Sequence, residues 1–325
     1  MDQFVARKIR QIYGEDVYVK DHSPIPGGDI NEAYLLELSN DERVFLKRNY
    51  TKDEDFFKAE AAGLAAIAST NTIDAAKVLA TGYDGRSSYL LLEYIEKGGR
   101  NGKFWEIFGK RLARMHRADT SAILSEQRFG FSSDNYIGGS VQKNTPMDSW
   151  IDFFRTKRLE IQFKMAWNYF EEADRRRILK LLGLLDGFLA EPRHPSLLHG
   201  DLWSGNFMAS SSGKPILIDP AVYVGHFEAD LAMTELFGGF SSAFYDSYRE
   251  ENLVSDGYED RKDLYPEIYV NLKDLENRDT DTFVAVWTET QDLYLMSAET
   301  YRDCYSEQSP AYTAGDVSKT CGEYA

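Results

Sequence analysis

The stretch Leu198-His199-Gly200-Asp201-Leu202-Trp203-Ser204-Gly205-Asn206, followed by Ile216-Leu217-Ile218-Asp219-Pro220, decides the reading of this chain. Four residues separate Asp201 from Asn206, the spacing of the H-R-D-x-x-x-x-N loop of phosphoryl-transfer sites, with Gly200 in place of Arg. Such transfer needs a carboxylate to accept the proton of the attacking hydroxyl and hard oxygen ligands for magnesium. Asp201 suits the first role, Asn206 and Asp219 the second. Phe207-Met208-Ala209 and Ile216-Leu217-Ile218 are short apolar runs either side of Ser210-Ser211-Ser212-Gly213-Lys214. They read as a β-hairpin whose open end sets Asn206 beside Asp219. An ordinary turn with a strand-end carboxylate could produce any one of these features, but not their whole ordered series.

Upstream, the segments fall in the order that this chemistry requires. Val5, Ile9 and Ile12 recur at helical spacing from Phe4 to Tyr13, which predicts a packing helix. Strands are predicted over 17–22 and 33–38, joined by Ser23-Pro24-Ile25-Pro26-Gly27-Gly28-Asp29-Ile30-Asn31. Gly27 and Gly28 would let backbone N–H groups close over phosphates, or would simply turn a hairpin. Val44-Phe45-Leu46-Lys47 is a third strand ending in a lysine, and a helix over 56–67 carries Glu60. A Lys47–Glu60 pair would hold the amine against phosphates. Glu54, at the start of the helix, competes for that pairing but lies about a turn and a half too early. Strands over 77–83 and 88–92 then run into Glu93-Tyr94-Ile95, where backbone groups of a connector would meet adenine, and a lobe boundary falls at Glu96 to Gly99.

Beyond that boundary the pattern turns helical. Trp105, Phe108, Leu112 and Met115 mark a helix over 103–117, with His116 as a structural residue. Residues 130–145, rich in Gly, Ser and Asn, read as a long loop. Helices are predicted over 150–167 and 171–189, the second with Leu179, Leu182 and Leu185 on one face. Within the central loop His199 could serve as the base; the template favours Asp201 and leaves His199 to buttress the loop. Asp230 reads as an internal acceptor holding that loop, and Trp203 either as a wall of the acceptor pocket or as a core aromatic.

His199 to Asn206, Asp219 to His226 and Glu228 to Phe240 together resemble the fructosamine kinase (ketosamine 3-kinase) family, as does Gly27-Gly28-Asp29-Ile30-Asn31-Glu32-Ala33-Tyr34. The family lies within the group of aminoglycoside and choline kinases. The resemblance covers about residues 4–265. It implies an α+β, two-lobed protein-kinase-like fold: a small antiparallel-sheet lobe over 1–96 and a mainly helical lobe over 97–265. It also implies ATP and Mg2+ as cofactors, phosphorylation of the 3-hydroxyl of a free or protein-bound ketosamine, and an approach of residues 130–145 to the acceptor pocket. Two other functions keep the same residues: a kinase for an aminoglycoside or choline-like alcohol, and a nucleotide-binding scaffold with little catalysis.

Composition bounds the partners. With 325 residues, 43% of them hydrophobic, the chain has material for a two-lobed core. A net charge of -16 argues against non-specific binding of nucleic acid or anionic membrane, both of which need cationic surface. Cys304 and Cys321 make no disulfide framework, and no apolar run has signal-peptide or membrane-span length, so a cytoplasmic protein is expected. After Tyr265 the chain departs from the family pattern. Residues 266–325 form an acidic tail with 12 acidic against 4 basic residues, a balance that disfavours burial, although Phe283-Val284-Ala285-Val286-Trp287 could form local structure.

Overall fold

The computed structural model describes residues 3–26, 31–124, 128–236, 239–251, 254, 256–265, 283–287 and 293–297. Helix α1 (Gln3–Tyr13) precedes strands β1 (Val19–Pro24), β2 (Glu32–Leu38) and β3 (Arg43–Asn49), then α2 (Glu54–Ser69). After β4 (Asp74–Ala75) come β5 (Val78–Tyr83) and β6 (Ser88–Glu93), which complete a five-stranded antiparallel sheet of order β1-β2-β3-β6-β5.

The period of two along a strand explains how this sheet is covered. Val44, Leu46, Tyr89 and Leu91 point to one face, where Val5 and Ile9 of α1 bury against them. Phe45, Leu90 and Leu92 point to the other, against Phe56, Phe57 and Leu64 of α2. A strand buried on both faces reads as a continuous apolar run, as Tyr89 to Leu92 does. Lys47 shares the parity of Phe45, so its side chain also falls on the α2 face. Asp53 caps that helix, its side chain accepting the Asp55 N–H at 3.1 Å.

The rest is mainly helical: α3 (Phe104–His116), α4 (Trp150–Phe153), α5 (Glu160–Met165), α6 (Glu172–Phe188), α7 (Glu228–Glu235), α8 (Ser242–Arg249) and α9 (Tyr258–Arg261). Short strands lie among them: β7 (Asn135–Ile137) pairs β8 (Ser140–Gln142), β9 (Ser196–Leu198) pairs β12 (Tyr223–Gly225), and β10 (Phe207–Ala209) pairs β11 (Pro215–Leu217). Phe104 and Phe108 of α3 pack with Phe207, Phe240 and Phe244 into an aromatic core. The two regions share a sheet, because Asp74 and Ala75 pair in parallel with Ile216 and Leu217.

Three local expectations need correction. Residues 130–145 are not all loop: buried amides of Asn135, Gln142 and Asn144 hold the β7–β8 hairpin in place. The helix over 150–167 is interrupted by a π-turn at Phe154–Leu159, where Arg158 is buried against the Lys143 carbonyl and over the Tyr223 ring. On α6 the buried positions are Ile178 and Leu185, whereas Leu179 is 58% exposed. Phe283–Trp287 and Leu293–Ser297 pair as antiparallel strands, and the remainder of the acidic tail lies outside the described residues. No helix among the described residues is long and apolar enough to cross a membrane.

Candidate active site

The hairpin of β10 and β11 does what its length predicts. Phe207 faces Leu217, and the Ile218 N–H donates to the Asn206 carbonyl at 3.1 Å, so Asn206 and Asp219 emerge side by side. Asp219 has φ +54, a left-handed conformation unusual for a residue with a side chain and common where function fixes the backbone. Its carboxylate, 43% exposed, takes a hydrogen bond from Lys47 Nζ at 2.6 Å.

Lys47 lies between two carboxylates, since Nζ also donates to Glu60 Oε1 at 2.8 Å. Burial alone would push its ammonium down, but Asp219 and Glu60 outweigh that and hold it well above the ordinary lysine range. Burial raises the Glu60 carboxyl, and Lys47 opposes the shift. Glu54 is not the partner: it pairs with Lys58 on the outer surface of α2 at 2.9 Å.

Asn206 spends its amide NH2 on Asp201, donating to the backbone carbonyl and to Oδ2, both at 2.8 Å. Neither bond consumes its side-chain oxygen, the atom that would ligate a cation. The Asp201 N–H donates to His199 Nδ1 at 3.3 Å, while His199 Nε2–H donates to the Ile218 carbonyl at 2.9 Å. Both ring nitrogens are therefore engaged within the loop. Burial depresses the His199 pKa, so its imidazole is neutral at pH 7 and has no lone pair to offer a substrate proton.

Asp230 of α7 anchors the same loop from below. Its buried carboxylate accepts the N–H groups of His199 at 2.6 Å and Gly200 at 2.9 Å, and His116 Nε2–H at 3.1 Å. Burial works to raise this carboxyl, and the His116 bond and the other donors overcome it, leaving it below the usual range. The Tyr248 hydroxyl in turn donates to His116 Nδ1 at 2.7 Å, which fixes the tautomer. Gly200 explains why the template's Arg is missing. At φ +82 a Cβ here would stand 2.1 Å from the Ala221 carbonyl oxygen.

The other expected residues are placed as follows. Trp203 is half-buried, and its ring lies against Gly205. Glu93 ends β6, its N–H donating to the Lys77 carbonyl at 2.9 Å and its carboxylate accepting the Lys77 N–H at 3.1 Å. The Tyr94 ring carries the Arg43 guanidinium at 4.5 Å, and Ile95 packs against the apolar cluster that Phe57 and Leu64 of α2 form with Leu90 and Leu92. Gly27 and Gly28 lie outside the described residues, but the end of their loop is pinned where Asn49 Nδ2 donates to Asn31 Oδ1 at 2.8 Å. Sequence reasoning missed this contact, the role of His116 as the third donor to Asp230, and the strand at Asp74–Ala75. No local pattern marks the last, because the pairing of Asp74–Ala75 with Ile216 and Leu217 is parallel and long-range.

His226 sits on the same block, buried, with Nδ1 accepting the Glu228 N–H at 3.2 Å and Glu228 bound to Arg261 at 2.6 Å. Burial depresses its pKa from 6.5 to about 4. The unfolded chain then takes up this proton at higher pH than the folded one. The contribution is complete above about pH 6.5, declines as pH falls towards 4, and amounts to about 3 kcal/mol over that window. Urea midpoints measured between pH 6.5 and 4 are expected to fall with acid, and less steeply in a His226→Gln variant.

A lysine bound to a helix glutamate, an Asp–Asn loop and a strand-end aspartate, placed between a five-stranded sheet and a helical body, define a kinase of the protein-kinase-like fold. The chain belongs to the fructosamine kinase family, whose model matches residues 1–282. A Synechocystis sp. protein named "Probable ketoamine kinase" is 39% identical over 268 residues, which cover 81% of this chain and 87% of that one. The chloroplastic protein-ribulosamine 3-kinase of Arabidopsis thaliana is 35% identical over 264 residues, covering 78% and 76%. A Haemophilus somnus crystal structure named "Putative fructosamine-3-kinase" superposes with TM-score 0.72 at 28% identity, covering 80% and 86%. A thermostable aminoglycoside phosphotransferase, in complex with ADP and hygromycin B, superposes at 0.54 with 15% identity, covering 80% and 88%, a likeness of fold alone.

Proposed function

We propose that this chain transfers the γ-phosphoryl group of ATP to the 3-hydroxyl of a ketosamine, free or carried on a protein lysine. The observation that carries the reading is the convergence of Lys47, Glu60, Asp201, Asn206 and Asp219, from four separate elements, on one site. Asp201 orients the hydroxyl and accepts its proton. Lys47, held charged and aimed by Glu60, meets the phosphate oxygens, with the loop at Gly27 and Gly28 covering them. The backbone at Glu93, Tyr94 and Ile95 receives the adenine, and Trp203 forms a wall of the acceptor pocket. His199 and Asp230 hold the loop.

The charges present fit a divalent cation. Glu60, Asp201 and Asp219 outnumber Lys47, so a polyphosphate would enter a site of net negative charge. At an effective dielectric of ~20, two like charges ~5 Å apart cost roughly 3 kcal/mol. Asp219 and the Asn206 side-chain oxygen would hold magnesium, which would supply charge neutralisation between phosphate and protein. Phosphates and water would complete its shell.

The test is ADP release, with magnesium and ATP, across ribulose- and fructose-derived lysine adducts, aminoglycosides and choline. Turnover confined to ketosamines is expected. Turnover only on another alcohol would keep the site and discard the acceptor, and ATP binding without turnover on any acceptor would leave a scaffold.

A further inference from the structure

The β7–β8 hairpin is bonded to both segments whose carboxylates meet on Lys47. Towards Asp219, Asn135 Nδ2 donates to the Val222 carbonyl at 2.7 Å and Gln142 Nε2 to the Ala221 carbonyl at 3.0 Å, three and two residues beyond Asp219 respectively. Towards α2, the Tyr136 ring sits 4.7 Å from that of Phe56, and Lys52 Nζ donates to the Gly139 carbonyl at 2.9 Å. The same ammonium lies 5.5 Å from the Tyr136 ring and 5.9 Å from the Phe56 ring. Phe56 is one helical turn before Glu60, on the same face of α2. Further along that helix Gly63 backs onto Val222, where a Cβ would stand 3.1 Å from Cγ2.

We propose that Tyr136 and Lys52 are positioning residues for phosphoryl transfer. The hairpin braces α2 against the segment after Asp219, so that Glu60 and Asp219 reach Lys47 together from different parts of the chain. The buried amides of Asn135 and Gln142 fix the hairpin on one side; Tyr136 and Lys52 transmit that fixed position to the first turn of α2. This rests on the reading of Lys47 and Glu60 as phosphate-binding residues. It differs from a role of residues 130–145 in lining the acceptor pocket, because the contacts that carry it point at α2.

The test is calorimetric affinity for ATP with magnesium, beside kcat and both KM values, in Tyr136→Ala, Tyr136→Phe, Lys52→Met and Glu60→Gln, with melting temperatures recorded. Tyr136→Ala is expected to weaken ATP binding and lower kcat by about tenfold together, within the loss that a small misplacement causes, and to leave the acceptor KM unchanged. Tyr136→Phe, which keeps the ring contact, restores both. In a Glu60→Gln background Tyr136→Ala adds less than twofold, because the residue it acts through is already gone. A raised acceptor KM with unchanged ATP affinity would overturn the brace and return the hairpin to the acceptor pocket. Full multiplicativity with Glu60→Gln would overturn it too, as would normal ATP affinity in Tyr136→Ala. If Glu60→Gln alone leaves ATP affinity and turnover at wild-type levels, the underlying reading of Glu60 fails and the brace fails with it.

Discussion

Asp201→Asn is expected to lower kcat on the ketosamine substrate by ~10²- to 10⁴-fold, the range lost with a general base. The substitution isolates the proton. An amide of the same shape still accepts the hydrogen bond from Asn206 Nδ2, and the backbone bond from Asn206 to the 201 carbonyl is untouched. It cannot take a proton from the hydroxyl. The neighbouring imidazole gives no rescue, because His199 uses both nitrogens within the loop. The KM for ATP and the melting temperature are expected to stay near wild type. A loss below tenfold in steady-state ADP release would remove Asp201 from the base role.

Asp230→Ala acts on stability first. It leaves the His199 and Gly200 N–H groups and His116 Nε2–H without their acceptor in a buried site. An orphaned buried donor costs about 1–3 kcal/mol, and breaking a buried charged network about 3–5 kcal/mol in total. For a protein of this size that is a fall of about 10 °C in melting temperature. Glu54→Gln, which removes only the exposed Glu54–Lys58 pair on α2, is the control and is expected to leave the melt unchanged. Because the same carboxylate fixes the backbone that presents Asp201, activity measured well below the melt falls as well. An Asp230→Ala protein that melts like the wild type would mean that water or a repacked loop takes over its three hydrogen bonds.

Much of this site is legible along the chain because its chemistry is local. Asp201 and Asn206 share one loop, and a five-residue turn between two short apolar runs can only bring Asn206 back to Asp219. Strand parity places Lys47 on the face that α2 covers, and helical spacing places Glu60 rather than Glu54 opposite it. Gly200 was visible as a departure from the template; its reason, the Ala221 carbonyl 2.1 Å from any Cβ, was not. The hairpin at Asn135–Gln142 was hidden because its residues are polar and turn-forming. Such a segment reads as loop until its amides find buried carbonyls elsewhere.

The sequence by itself determined the order of the elements, the loop that carries Asp201, the hairpin that pairs Asn206 with Asp219, and the pairing of Lys47 with Glu60. Each follows from periodicity or spacing over a few residues. The tertiary structure alone decided that His116 joins His199 and Gly200 on Asp230, that Asp74–Ala75 extends the β10–β11 sheet, and that Tyr136 meets Phe56 while Lys52 reaches the Gly139 carbonyl. Those contacts join residues dozens of positions apart, and their specificity lies in matching one donor to one acceptor in three dimensions. No local pattern records that match.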